Sequence, residues 1–298
     1  MRVMDANELY DPDFRKLIKS KKQTIIIPIG SIEQHGAHLP ITTDSDIVTE
    51  IASRLAKKCG FIVFPTISYG VSFEHLPLFN TSITEETLAI ILDEIISSLK
   101  QQKIDSIIIL NGHHGNIPTL EDLTTLYTVP KKQAKYLEKM WKKGKHEYDE
   151  AFEGLRGQDI WNEKAIGQIG GTSYTKYGSR FTKYTTSQVR TDGDDKIPRF
   201  YSYWHFMKHE FDHAGFVETS LMLAISDKVK MKKAKKGLIT EGLSEKEIQR
   251  INKLSTQPGG FPQVAKNGVW GDPTKATKKD GEKFLAEIVR NLAKECQT

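Results

Sequence analysis

Along its first half the chain alternates short apolar runs with longer stretches of helical spacing. Thr24–Pro28 (TIIIP) is a continuous apolar run, the pattern of a strand buried on both faces. Asp46–Lys58 carries Ile47, Ile51 and Leu55 one turn apart, and Gly60 follows as a helix stop. Phe61–Pro65 (FIVFP) reads as a second strand, and Glu85–Lys100 as a helix whose first-turn acids suit the macrodipole. Ser106–Leu110 (SIIIL) is a third strand and Pro118–Tyr127 a third helix. This β-α-β-α-β-α order over 22–128 predicts an α/β protein with a mainly parallel sheet.

The pattern changes over about 129–205. Apolar runs become scarce, Lys, Gly, Thr and Tyr dominate, and Gly167–Gly171 and Asp192–Asp195 read as turns. With no core pattern of its own, this stretch is expected to be an elaborated insertion in one domain spanning 1–298. Helical patterns resume from Glu218, with Ser244 and Glu247 forming a capping box and Thr277–Lys294 a closing amphipathic helix.

Composition narrows the class. Of 298 residues 38% are hydrophobic and 27% charged, enough for a packed core and too ordered a mix for a disordered chain. No run reaches the roughly 18 apolar residues of a membrane span. The polar start, MRVMDANELYDPDF, lacks a secretory pattern, so a cytoplasmic location is expected. Two cysteines, Cys59 and Cys296, exclude a disulfide framework and a cysteine-based zinc site. A net charge of +5 does not by itself argue for nucleic acid. Nine histidines remain as candidate chemistry.

They fall into constellations at strand ends. Gly30-Ser-Ile-Glu33-Gln-His35-Gly-Ala-His38-Leu-Pro40, then Thr43-Asp44, begins where the first strand stops. Ligands of open α/β sheets bind beyond the carboxyl ends of strands. Glu33 and His35 lie two apart and project to one side of extended backbone, and Asp44 falls just before the next helix. Such a set suits a divalent metal, and a polar loop with Asp44 as helix cap is the bland alternative. Asn111-Gly-His113-His114-Gly115-Asn116 follows the third strand, on the same edge of the sheet. His213-Ala-Gly-Phe216-Val-Glu218-Thr-Ser opens an apolar helix, where Glu218 could simply complement the helix dipole.

These three ordered motifs resemble the creatininase (creatinine amidohydrolase) family. Tyr69-Gly70 with Glu74-His75 and Thr81, and Gly268–Ala276 with Gly281, extend the resemblance, which covers about 22–128 and 206–290. It implies a three-layer α/β/α fold and two divalent metals, zinc, manganese or iron. By motif, Asp44 would bridge them, Glu33 and His113 would complete one site, and His35 the other. Creatininase takes a further glutamate from the second motif. Gly115 stands there in this chain, and Glu218 is the natural replacement, shared between metal binding and catalysis. His213 would be the general acid/base. Phe216 replaces a glutamate of many members, and Trp204 is near but not at the position of the tryptophan that closes over creatinine. The implied reaction is hydrolysis of a small cyclic amide, or of a formamide as in the pyrimidine deformylases, by a homo-oligomer, hexameric in the family. Two close cations can share a hydroxide, bring its pKa toward about 7 and polarise a carbonyl. Three carboxylates offset their charge, and a histidine such as His213 suits proton delivery.

Other readings compete. His209-Glu210-Phe-Asp-His213 formally matches the zinc-protease signature H-E-x-x-H, although Ala214-Gly215 would weaken such a helix. A catalytically inactive binding protein is a further possibility. Seven lysines in Lys131–Lys145 and six in Lys228–Lys236 could track phosphates, yet a solvated face explains them and nucleic acid is not an expected partner. No P-loop, dinucleotide fingerprint or nucleophile elbow is present, and the tryptophans are expected to pack rather than to stack on ligands.

Overall fold

The structure, a computed structural model, describes residues 4–20, 23–104, 106–128 and 198–296. Its central sheet has the strand order β1-β4-β2-β6-β7, formed by Met4–Asp5 (β1), Thr24–Ile29 (β2), Ile62–Val63 (β4), Ser106–Asn111 (β6) and Arg199–Ser202 (β7). Every neighbouring pair in it is parallel. A separate antiparallel pair joins Ile32–Glu33 (β3) to Asn80–Thr81 (β5).

The predicted apolar runs are the middle of this sheet, and alternation within them builds two cores. Ile26, Ile108 and Leu110 face helices α2 (Thr43–Cys59), α5 (Phe216–Ile225) and α7 (Lys278–Glu295). Ile25, Ile27, Ile29, Ile107 and Ile109 face α3 (Glu85–Gln101) and α4 (Ile117–Thr128). Successive strand side chains point to opposite faces, so two covered faces require unbroken apolar runs. The result is the expected three-layer α/β/α arrangement. Among the described residues no helix is long and apolar enough to cross a membrane.

Element boundaries hold to within a residue or two, with two exceptions that matter. Helix α2 starts at Thr43, so Asp44 lies inside its first turn rather than before it, and Asp44 is not the cap. The stretch expected as insertion contributes β7 at its end, because Arg199–Ser202 pairs with β6 from Ile108 to Asn111. This short segment, RFYS, carries no apolar run to announce it. The turns expected at 167–171 and 192–195 lie outside the described residues. Ser244 and Glu247 do form both bonds of a capping box on Glu245–Ser255 (α6), and Thr277 caps α7.

Candidate metal centre

Parallel register sets the site. Strands β2 and β6 run level from Thr24 opposite Ser106 to Ile29 opposite Asn111, so the loops after them emerge side by side. The first turn of α2 sits directly on the second loop: a Cβ on Gly112 would meet the Asp44 carbonyl oxygen at 2.7 Å. The two asparagines of the NGHHGN motif stitch neighbouring loops. Asn116 accepts from Val71 N–H and donates to Gly30 O, while Asn111 accepts from His113 N–H and donates to the Ser202 hydroxyl. The loops after β2, β4, β6 and β7 therefore share one edge, the carboxyl edge of the sheet.

All five sequence-predicted ligands meet there. His35 Nε2 lies 3.1 Å from Asp44 Oδ1 and 3.5 Å from Glu218 Oε2. His113 Nδ1 lies 3.0 Å from Asp44 Oδ2 and 3.3 Å from Glu33 Oε2. Asp44 thus faces one imidazole with each oxygen, and two donor groups, Glu33–Asp44–His113 and His35–Asp44–Glu218, share it. The carboxylates are all buried, Glu33 and Glu218 completely.

The far ring nitrogens settle the tautomers. His35 Nδ1 lies 3.1 Å from Glu33 O, and His113 Nε2 lies 2.7 Å from Val71 O. A carbonyl only accepts, so those nitrogens carry hydrogens, and it is the other nitrogen of each ring, facing the carboxylates, that a metal would take in the neutral ring. Both Glu33 carboxylate oxygens, Asp44 Oδ2 and Glu218 Oε1 are buried without a hydrogen-bond partner. Unsatisfied buried carboxylate oxygens are costly, so this donor set fits divalent cations.

The electrostatics carry the same demand. Burial disfavours a charged His35, but Asp44, Glu218 and Glu33 outweigh it and hold the imidazole up at about 10. Burial is likewise outweighed at His113, raised chiefly by Glu33 and Asp44, and at Asp44, held well below the carboxylate range by His35 and His113. Glu218 is pushed up to about 8 by burial, with Asp44 and Asp212 adding to it against His35. The cradle asks for positive charge in its centre.

His213 reaches the cradle but faces it from one side, with its ring centroid 4.3 Å from that of His35 and its Nδ1 3.8 Å from Glu33 Oε1. Burial, then the neighbouring His35 and His75, push its pKa well down. His209 does not join it. Residues 207–212 are not helical, His209 and Glu210 are exposed, and the His209 ring packs against Phe216 and Phe284 at 5.4 and 5.5 Å. The H-E-x-x-H reading therefore fails: it needs both histidines on one helix face, and the chain here is not helical. Phe216, in the position of a family glutamate, belongs to this same aromatic cluster, 5.9 Å from Phe284.

A cavity of about 580 Å³ opens onto the cradle. Trp204, Trp270, Phe73, Phe211 and Phe261 line its walls, so Trp204 and Trp270 are pocket residues rather than pure packing. Sequence reasoning also assigned no role to four polar residues. His75 Nε2 lies 2.9 Å from Glu33 Oε1, and Glu74 Oε1 lies 3.5 Å from His113 Nε2. Glu74 fills space that a side chain at 115 would need, since a Cβ there would fall 2.7 Å from Glu74 Oε1 and 2.1 Å from Val71 O. Asp212 caps α5 by accepting from Val217 and Glu218 N–H at 2.8 and 3.2 Å, which holds Glu218 in place. Gln34 contacts two histidines. The pairing of Glu74 and His75 was visible only as a motif echo; Gln34 and Asp212 had no signal beyond proximity to motif residues.

A parallel sheet with a buried cradle of histidines and carboxylates at its carboxyl edge marks an α/β protein with a candidate metal-binding site. The family model for creatininase, described as creatinine amidohydrolase, matches residues 7–296, and the chain belongs to that family. A mycofactocin precursor peptide peptidase of Mycobacterium ulcerans is 28% identical over 281 residues, covering 89% of this chain and 81% of the relative. Creatinine amidohydrolase of Pseudomonas putida is 27% identical over 118 residues, 37% of this chain and 45% of the relative. A 2-amino-5-formylamino-6-ribosylaminopyrimidin-4(3H)-one 5'-monophosphate deformylase of Methanosphaera stadtmanae is 39% identical over 101 residues, 33% and 43% of the two chains. The solved structure of creatinine amidohydrolase superposes with a TM-score of 0.63 at 20% identity, over 99% of this chain and 97% of that one, which speaks to the fold. A manganese form of creatininase superposes with the same TM-score of 0.63, identity of 20% and coverages of 99% and 97%. A mutant of Zn-Zn type gives 0.62 at 19%, over 99% and 97%.

Proposed function

We propose that the protein hydrolyses a C–N amide bond of a small substrate with two divalent ions, held by Glu33, Asp44 and His113 and by His35, Asp44 and Glu218. The observation that carries this reading is Asp44, whose two oxygens face opposite imidazoles at 3.1 and 3.0 Å. Zinc, manganese or iron would suit nitrogen and carboxylate donors together. When bound, the pair activates water and polarises the amide carbonyl.

The chain's own residues supply the rest. The aromatic walls exclude water and seat the body of the substrate. His213, kept neutral by burial, takes up a proton at the cradle and returns it to the departing nitrogen. Glu218 stays anchored by the Ala214 N–H at 2.7 Å.

Among the described residues that line the cavity there is no Lys or Arg, whereas Glu74 and Glu85 stand in its wall. A phosphate would meet no lysine or arginine among these residues, which favours an uncharged cyclic amide or an unphosphorylated formamide. The end of a short peptide is the second reading, supported by the cavity volume of about 580 Å³ and the length of the peptidase match. The family resemblance extends the proposal to a homo-oligomer, a hexamer, which light scattering on the purified protein would check.

The test is metal content and turnover of wild type and Asp44→Ala on a panel of cyclic amides, formamides and short peptides. Wild type is expected to bind two ions and turn over one class, and the variant to lose both. A variant that keeps its ions and its activity overturns the bridge, and a loaded wild type inert on every class favours a binding protein.

A further inference from the structure

Gln34 lies between two of the cradle residues, is 8% exposed and contributes no ligand atom. Its carboxamide is fixed end for end. Gly36 N–H donates to Oε1 at 3.0 Å, so the other end is the NH₂. Gly268 closes over the oxygen, where a Cβ would fall 1.8 Å from Oε1.

The two hydrogens of Nε2 then meet two imidazoles, His75 Nδ1 at 2.9 Å and His213 Nε2 at 3.0 Å. A nitrogen that accepts from Gln34 carries no hydrogen. Neutral His75 must therefore hold its hydrogen on Nε2, the nitrogen 2.9 Å from Glu33 Oε1. That oxygen is buried and accepts no hydrogen bond. On His213 the same ring nitrogen also lies 3.0 Å from Gln34 O, so one residue offers it both a donor and an acceptor. Either way Nε2 is held by Gln34 and Nδ1 is turned toward the cradle.

We propose that Gln34 is a positioning residue that sets the ring orientation of His75 and His213 and keeps the His75 hydrogen on Nε2, the ring nitrogen on the Glu33 side. Donor atoms of Glu33, Glu74 and His75 lie within 4.8 Å of one another, the spacing of a third cation site. The tautomer imposed by Gln34 removes the lone pair such a site needs. The His75 Nε2 side instead stands 2.9 Å from Glu33 Oε1, while Oε2 lies 3.3 Å from His113 Nδ1 in the cradle. Partners that orient a ligand in this way are commonly worth about 10–100-fold in affinity or activity.

The inference leans on the proposed hydrolysis only for its kinetic arm. The first test is ¹⁵N-histidine NMR of the whole zinc-loaded protein, with the His75 signal assigned by its loss in His75→Asn. A bare Nδ1 and a protonated Nε2 on His75 are expected, and the reverse overturns the proposal without any variant of Gln34. Gln34→Glu, which can only accept when ionised, should place a hydrogen on His75 Nδ1; an unchanged tautomer in both Gln34→Glu and Gln34→Met overturns it. Zinc content in His75→Asn should equal wild type, and loss of one equivalent would make His75 a ligand. On a substrate that is turned over, Gln34→Met should lower kcat about 10–100-fold with KM nearly unchanged. Absence of any turnover would defeat the hydrolase reading and leave the spectrum as it is.

Discussion

His209 and His213 stand four residues apart beside acidic neighbours, yet one points at solvent and the other into the cradle. The surface segment 207–212 and the carboxyl edge of the sheet use the same residue types. They differ in what surrounds them. His209 rests on Phe216 and Phe284, with water on its other side, whereas His213 is gripped by Gln34 and forms a backbone bridge to Trp270. Chemistry follows from convergence at a shared edge in low dielectric, and a spacing match outside a helix does not provide it.

The largest expected effect breaks the cradle side. Asp44→Ala should lower activity about 10³-fold or more, the several kcal/mol that metal assistance supplies, and metal analysis should show the ions gone. Were the metal held at His209 instead, the variant would keep it. Next, His213→Ala should cost about 10²–10⁴ in kcat while metal content stays at the wild-type level, which separates proton transfer from binding. On the surface side, His209→Ala should leave metal content and kcat/KM within about twofold and change stability by about 0.5 kcal/mol or less in a denaturant titration.

The smallest effect sharpens the contrast between carboxylates. Asp122 on α4 is pushed up to about 7 by burial, with Glu85 and Glu121 adding to it, and no imidazole partner is among the causes. Its folded value exceeds the ordinary 3.8, so the fold prefers the neutral acid. That preference stabilises fully below about pH 4 and is lost as pH rises through about 7. Asp122→Asn should therefore raise the midpoint of unfolding at pH 8 and barely change it at pH 4. Partial exposure keeps the gain to about 1 kcal/mol or less. Cradle carboxylates should behave otherwise, since chelation of the metal should alter their contribution and leave that of Asp122 unchanged.

Much of the fold was legible because local periodicity encodes it. TIIIP and SIIIL announced central strands, and the isoleucines alternate between two cores as such runs require. β7 was not legible, because RFYS is short and only its last residue is buried. The glycine-bounded histidine motifs were legible as donors at strand ends. Glu74, His75 and Asp212 received no role because a single polar residue outside a metal spacing looks like any solvated side chain. Trp270 gained a wall position only through its bridges to His213 and Leu238.

By itself, then, the sequence determined the α/β alternation, the donor types and their placement after strands, since each depends on neighbours a few residues away. Tertiary structure decided the rest: which oxygen of Asp44 faces which imidazole, which ring nitrogen is bare, and that His209 stays outside. Those facts depend on level parallel strands bringing residues 33, 75, 113 and 218 to one buried edge, where the Glu33 and Val71 carbonyls and the Gln34 carboxamide place the ring hydrogens.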